Sequence, residues 1–206
     1  MTGCDRSRSA AADYPHILAV GDSLTAGYGL RSSEAFPAQL QRLLRERHFG
    51  AAVQNAGVSG DTSASALVRL PSLLSSLTTL PDLAIVELGA NDFLRGVPLR
   101  QTRANLDEIV DLLRRCGIPV LLAKMEAPRF LGAIAAACDD VYASVAARHG
   151  VPAWPFYPPG VLAVPALSLP DRLHPNADGI RAIAAHMLPA VVSALEAAEV
   201  GRMAAA

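Results

Sequence analysis

Long apolar runs, basic clusters and closely spaced cysteines are all missing from this 206-residue chain, and each absence removes a class of protein. No uncharged apolar run approaches the roughly 18 residues that span a bilayer, so no stable membrane insertion is expected. Lys+Arg at 18 against Asp+Glu at 19 leave a formal net charge of -1, and no dense basic stretch offers itself to a phosphate backbone. Nucleic acid is therefore not an expected partner. The three cysteines, Cys4, Cys116 and Cys138, are widely spaced and odd in number, with no C-x-x-C pair and no Cys/His cluster of zinc spacing. Reduced thiols and no metal are expected. Thr2-Gly3-Cys4 faintly resembles the end of a bacterial lipoprotein signal, but a secretory signal needs an apolar segment of about 7 to 15 residues ahead of it. The expected compartment is the cytoplasm, or the periplasm or exterior if an export signal lies outside this sequence.

What is present is a globular composition, with 51% hydrophobic and 18% charged residues, enough to bury one core and without a Pro/Gly/Ser-rich linker to divide it. Residues 1–15 form an expected flexible arm, 16–198 the domain and 199–206 a flexible tail. Ile17 to Val20 is an apolar, branched run that reads as a buried strand, broken by Gly21-Asp22-Ser23. Helical spacing over Glu34 to Arg47, a strand at Ala51 to Asn55, and a helix with Leu67, Leu70, Leu73, Leu74 and Leu77 capped by Asp61 follow. Leu83 to Leu88 is a third strand ending in Gly89-Ala90-Asn91-Asp92, then come a helix at Gln101 to Arg115 and a strand at Val120 to Ala123. An Ala-rich helix over Leu131 to His149 leads to a weak strand at Val151 to Phe156 and an irregular loop over 157–173. The last helix is Asn176 to Glu196, with Pro189 expected to bend or break it. Strands alternating with helices predict a parallel sheet covered on both faces, a three-layer α/β/α sandwich.

In such a sheet the loops after the strands open on one edge, which brings Ser23, Gly60, Asn91 and the segment Asp171 to His174 together. Serine needs a base, and histidine titrates near neutrality. Asp171 precedes His174 by three residues, a spacing at which one tight turn sets a carboxylate against one ring nitrogen while the other faces Ser23. The N–H groups of Ser23 and Gly60 and the Asn91 amide could form an oxyanion hole. Each feature alone has a plainer reading: Asp22 and Ser23 as a turn cap, Asn91-Asp92 as a turn, His174 as a loop histidine. Their joint placement at matching strand ends favours chemistry. His16, His48, His149 and His186 read as surface or helix-end residues, and Cys138 as an inert mid-helix thiol.

Gly21-Asp22-Ser23-Leu24, Asn55-Ala56-Gly57-Val58-Ser59-Gly60-Asp61-Thr62, Gly89-Ala90-Asn91-Asp92 and Asp171-Arg172-Leu173-His174-Pro175-Asn176 resemble the four blocks of the GDSL, or SGNH, hydrolase family, in its arylesterase, thioesterase I and lysophospholipase L1-like branch. The resemblance spans about residues 16–195. It implies a flavodoxin-like fold with a five-stranded parallel sheet of order 2-1-3-4-5. It also implies a cofactor-free serine esterase in which Ser23 is the nucleophile, His174 the base and Asp171 its orienter, with Ser23, Gly60 and Asn91 at the oxyanion. The expected partner is a small ester or thioester. A carbohydrate deacetylase of the same family and a non-catalytic flavodoxin-like binding module are the alternatives. Two departures bear on substrate: relatives usually carry a Pro-Asn-Tyr-Gly-like loop where this chain has Arg129-Phe130-Leu131-Gly132, and a small residue where it has Arg172. The expected pocket residues are Leu24, Phe93, Arg95, Arg129, Phe130 and Arg172, with Phe93 to Leu99 as a wall.

Overall fold

The computed structural model describes residues 14–47, 50–126, 132–162 and 164–205. Cys4, His48, Arg129 and Phe130 lie outside them, as does most of the expected N-terminal arm. Five strands, β1 (His16–Gly21), β2 (Ala52–Gly57), β3 (Leu83–Glu87), β4 (Val120–Lys124) and β5 (Ala153–Pro155), form one parallel sheet of order β2-β1-β3-β4-β5. β3 is buried along its whole length, and β1 from Ile17 on, as strands covered on both faces must be. β2, at one edge, keeps Gln54 and Asn55 outside the core, and β5, at the other, is cut to three residues, following Pro152 and ending on Pro155.

The helices are α1 (Ser23–Ala26), α2 (Phe36–Glu46), α3 (Ser63–Ser76), α4 (Ala90–Leu94), α5 (Leu99–Arg115), α6 (Ala133–His149) and α7 (Ala177–Ala205). α2 packs on α7, while α3, α5 and α6 pack in sequence on one another. With right-handed crossovers, the reversal of strand order at β1 and β3 sends these two groups to opposite faces of the sheet. The crevice opens at that reversal. Gly21 stands level with Gly57 and with Glu87, so the segments that carry Ser23, Gly60 and Asn91 leave the sheet side by side.

Several boundaries differ from the sequence reading. The N-cap of α3 is Thr62, whose side chain accepts from the Ser65 N–H, because Asp61 is drawn to Arg69 instead. α7 runs unbroken through Pro189 and on to Ala205, so the expected tail is helical over 199–205: no further proline follows Pro189, and the one glycine there, Gly201, costs a helix only about 1 kcal/mol. By length and composition its stretch Ala177–Gly201 would suit a membrane span. Its inward stripe of Ile180, Ile183, Met187, Leu188 and Val191 is instead buried in the core. Cys116, at the end of α5, is disulfide-bonded, which corrects the expectation of reduced thiols, since spacing along the chain carries no information on which sulfurs meet. Cys138 is free and buried.

The core between the sheet and the α2/α7 layer contains an aromatic cluster. The Phe36 and Phe156 rings lie 5.2 Å apart edge-on, and Phe156 meets Tyr157 at 5.5 Å and 90°. Phe156 has no exposed surface. Phe156→Ala is expected to cost about 3–5 kcal/mol, read from urea unfolding, with no change in the unfolding slope.

Candidate active site

β1 ends at Gly21, and the next residue turns the chain into α1: Asp22 Oδ1 accepts the Leu24 N–H at 2.9 Å, capping the helix. Ser23 is thereby the first residue of α1, its side chain at the strand tip. From the far end of the chain, Asp171 to His174 forms a turn held by its own carboxylate. Asp171 Oδ1 accepts the N–H of Leu173 at 2.9 Å and of His174 at 3.0 Å, leaving Oδ2 to meet His174 Nδ1 at 2.7 Å. His174 Nε2 then lies 2.9 Å from Ser23 Oγ. The Tyr28 ring rests against the imidazole, with centroids 4.5 Å apart.

The backbone N–H of His174, then that of Leu173, and the imidazole itself hold the Asp171 carboxyl down at about 2. Asp171 is thus an anion at any ordinary pH, and an anion facing Nδ1 requires a proton there. Nε2 is left to accept from Ser23 Oγ–H.

Across the cleft, residues 58–61 make a turn closed by the Asp61 N–H on Val58 O at 3.1 Å, in which Gly60 takes a φ of +85°. A side chain at this position would be strained, so glycine is the residue the turn demands. The N–H of Gly60 has no partner among the described residues, whereas its carbonyl accepts from Arg95 Nη2 at 2.8 Å. Asn91, on α4, donates from Nδ2 to Asp22 Oδ2 at 2.9 Å and to Asp61 O at 3.0 Å. α4 is entered through Gly89, where an added Cβ would collide with the Tyr142 hydroxyl, which donates to Leu88 O at 2.7 Å.

These loops are tied from below. Arg69 reaches up from α3 with Nε on Asp61 Oδ2 at 2.5 Å and Nη2 on Ala56 O at 2.9 Å and Gly21 O at 3.2 Å, joining the tips of β1 and β2 to the Gly60 turn. Asp92, buried, accepts from the Ser63 N–H at 2.8 Å and the Ser63 hydroxyl at 2.5 Å, and Asn105 donates to that hydroxyl at 2.9 Å. Glu87, at the tip of β3, is fully buried and accepts from the Thr25 hydroxyl at 2.7 Å, while its Oε1 has no partner among the described residues. Burial pushes its carboxyl well above the usual range, with the neighbouring Asp22 charge adding to the rise. Burial likewise pushes Asp22 up to about 6, against the Leu24 N–H and the Asn91 amide that favour its anion.

Ser23, Gly60, Asn91 and His174 all line one cleft of about 580 Å³. Of the expected pocket residues, Leu24, Phe93 and Arg172 line it, and so do Leu94 and Leu99 of the expected wall. Arg95 does not; it is exposed and donates to the Gly60 carbonyl instead, which turns its guanidinium away from the cleft. Sequence reasoning missed Tyr28, Arg69 and Glu87, and the inner wall contributed by Thr102, Met125, Val141 and Tyr142. Cys138 also faces the cleft, with burial raising its thiol pKa, so it remains a protonated wall residue. Among the described residues no His, Cys, Asp and Glu cluster suits a metal ion.

A flavodoxin-like sheet carrying a hydrogen-bonded serine, histidine and aspartate at its switch point, with no Gly-x-Ser-x-Gly elbow, defines a hydrolase of the SGNH class rather than an α/β-hydrolase. Residues 19–182 match the GDSL-like lipase/acylhydrolase family, and the chain belongs to that family. It is 39% identical over 160 residues to the esterase TesA of Pseudomonas aeruginosa, covering 77% of this chain and 79% of the relative. To the thioesterase 1/protease 1/lysophospholipase L1 of Escherichia coli K12 it is 37% identical over 172 residues, 83% of this chain and 79% of the relative. Among solved structures, that of AlinE4, a SGNH-hydrolase family esterase, superposes with a TM-score of 0.73 at 42% identity, covering 89% of this chain and 97% of AlinE4.

Glu87 yields a prediction. Its unfolded-state carboxyl loses its proton near the ordinary 4.5, while the buried group keeps it to a much higher pH. Between those values the native state binds more protons, so its stability falls as pH rises. Glu87→Gln cannot ionise, and its stability relative to wild type is expected to increase from about pH 4 to about pH 8 in paired urea unfolding curves; a constant difference would contradict this.

Proposed function

We propose that this protein hydrolyses carboxylic esters or thioesters through an acyl-enzyme on Ser23. The observation that carries the reading is the unbroken hydrogen-bond chain from Ser23 Oγ through His174 to Asp171, at 2.9 and 2.7 Å. Ser23 Oγ attacks the carbonyl carbon as His174 Nε2 takes its proton, and Asp171 holds the imidazole and stabilises its charged form. The carbonyl oxygen becomes an anion met by the N–H groups of Ser23 and Gly60 and by the Asn91 amide. At rest Asn91 directs Nδ2 at Asp22 and Asp61, so the developing oxyanion shares a proton already held in place and finds its donor oriented before it arrives. Collapse expels the leaving group, protonated by His174. A water activated by the same imidazole then releases the acid.

The cleft wall favours an acyl chain over a sugar. Leu24, Phe93, Leu94, Leu99, Met125 and Val141 offer apolar surface, whereas an acetylated carbohydrate needs hydrogen-bonding partners on most sides. This sets the carbohydrate deacetylase reading aside in favour of acyl esters and thioesters.

A fluorophosphonate probe is expected to label Ser23 alone, read by mass spectrometry of the digested protein; a folded protein left unlabelled would overturn the assignment. Asn91→Ala is expected to lower kcat by about a hundredfold to a thousandfold on a para-nitrophenyl ester, with the labelling of Ser23 slowed but not abolished.

A further inference from the structure

Arg172 is the one described non-glycine residue with a positive φ, +56°. The conformation is forced on it. Asp171 Oδ1 gathers the N–H groups of residues 173 and 174, the Arg172 N–H goes to Leu169 O at 2.9 Å, and Leu169 N–H closes on His174 O at 2.7 Å. A turn so pinned leaves the residue between Asp171 and Leu173 in the left-handed region, where glycine sits freely and an L side chain is strained. A long charged side chain nonetheless occupies it, and strain retained at the mouth of a reactive cleft asks for a role.

The side chain supplies one. Arg172 is exposed, lines the cleft, and has no carboxylate within 4.0 Å among the described residues. The other arginines that hold up the site are occupied: Arg69 by Asp61 and two carbonyls, Arg95 by Gly60 O. Its direction follows from the chemistry. His174 must deliver its proton to the departing oxygen or sulfur, so the leaving group lies on the histidine side of the scissile bond, beside the turn that bears Arg172. The apolar wall from α5 and α6 lies with the acyl chain.

We propose that Arg172 is a specificity-determining residue that favours esters and thioesters whose leaving group carries a negative charge, a carboxylate or a phosphate. The inference rests on the acyl-enzyme reading given above. Attraction to an exposed guanidinium is modest, on the order of a fivefold preference, and falls with added salt.

The test compares kcat/KM for two esters with one acyl chain, para-butanoyloxybenzoate and its neutral methyl ester, in wild type, Arg172→Gly, Arg172→Lys and Arg172→Glu. A second arm replaces them with butanoyl-coenzyme A and butanoyl-N-acetylcysteamine, which separates phosphate from carboxylate. The neutral substrate is the reference within each variant, so any disturbance of the Asp171–His174 turn cancels in the ratio. Glycine suits the left-handed position, so Arg172→Gly folds and should melt no lower than wild type. The anionic-to-neutral ratio is expected to drop about fivefold in Arg172→Gly, further in Arg172→Glu, and to stay within about twofold in Arg172→Lys, with the wild-type preference compressed at high salt. A ratio unchanged across all four proteins in both arms would overturn the proposal. Wild type that turns over none of the four substrates would instead defeat the acyl-enzyme reading itself.

Discussion

The contact between Ser23 Oγ and His174 Nε2 joins residues 151 positions apart, and the rest of the fold can be understood as the means of holding them 2.9 Å from each other. Neither residue sits on a long rigid element. Ser23 opens a four-residue helix, and His174 lies in a loop. Their rigidity is borrowed. α1 is fixed by the Asp22 cap and by the buried Thr25 on Glu87, and it rises directly from the core strand β1. The histidine loop is fastened on both sides: an isolated bridge pairs Ser168 with Pro175, and Asn176 spends its side chain on Ala166 O and on the first N–H groups of α7. α7 then packs against α2, the helix that follows α1 in the chain. The ends of the site are thus clamped through neighbouring helices in one layer.

Beneath the oxyanion side the solution is different, a layer of buried polar groups where the core would otherwise be aliphatic. Asp61 with Arg69, and Asp92 with Ser63 and Asn105, are nearly satisfied networks that fix backbone direction at the Gly60 turn and at α4. Glu87 is less well served, with one oxygen lacking a partner among the described residues. A buried acid in that state destabilises the fold as it ionises, and its placement under a reactive centre is where stability is commonly given up for preorganisation.

Much of this could be read from the chain. Apolar runs ending in Gly21-Asp22-Ser23 and Gly89-Ala90-Asn91 mark strand tips because small residues there let loops approach one another, and the alternation of strands with helices orders them along one edge. The spacing of Asp171 and His174 is local geometry, legible without the fold. What escaped depends on tertiary direction. Arg69 lies among leucines on a helix and reads as a solvent-facing charge, yet its guanidinium spans two strand tips. Tyr28 sits in a glycine-rich loop with no periodicity to declare it a partner of His174. Thr102, Val141 and Tyr142 belong to segments legible as helices, but which of their residues border a cleft rather than the core is fixed by how α5 and α6 lean against each other. The continuity of α7 was misjudged for a simpler reason: Pro189 weakens a helix locally, and the buried stripe on either side of it outweighs that cost.

Two carboxylates stand near Ser23, and their environments explain why the more distant one in sequence serves the histidine. Asp22 adjoins the serine directly but is fully buried, next to Glu87, and burial pushes its carboxyl up to about 6. It is the more easily protonated of the two, and its oxygens are already engaged by the Leu24 N–H and the Asn91 amide. Asp171 is exposed, and its own backbone supplies two N–H donors that keep it an anion down to about 2. The fold therefore separates the two tasks by solvation: an acid that water and amides keep charged faces the imidazole, and an acid that burial leaves easy to protonate takes the neutral amide of Asn91. Exchanging their surroundings would exchange their roles, since nothing in the carboxyl group itself distinguishes them.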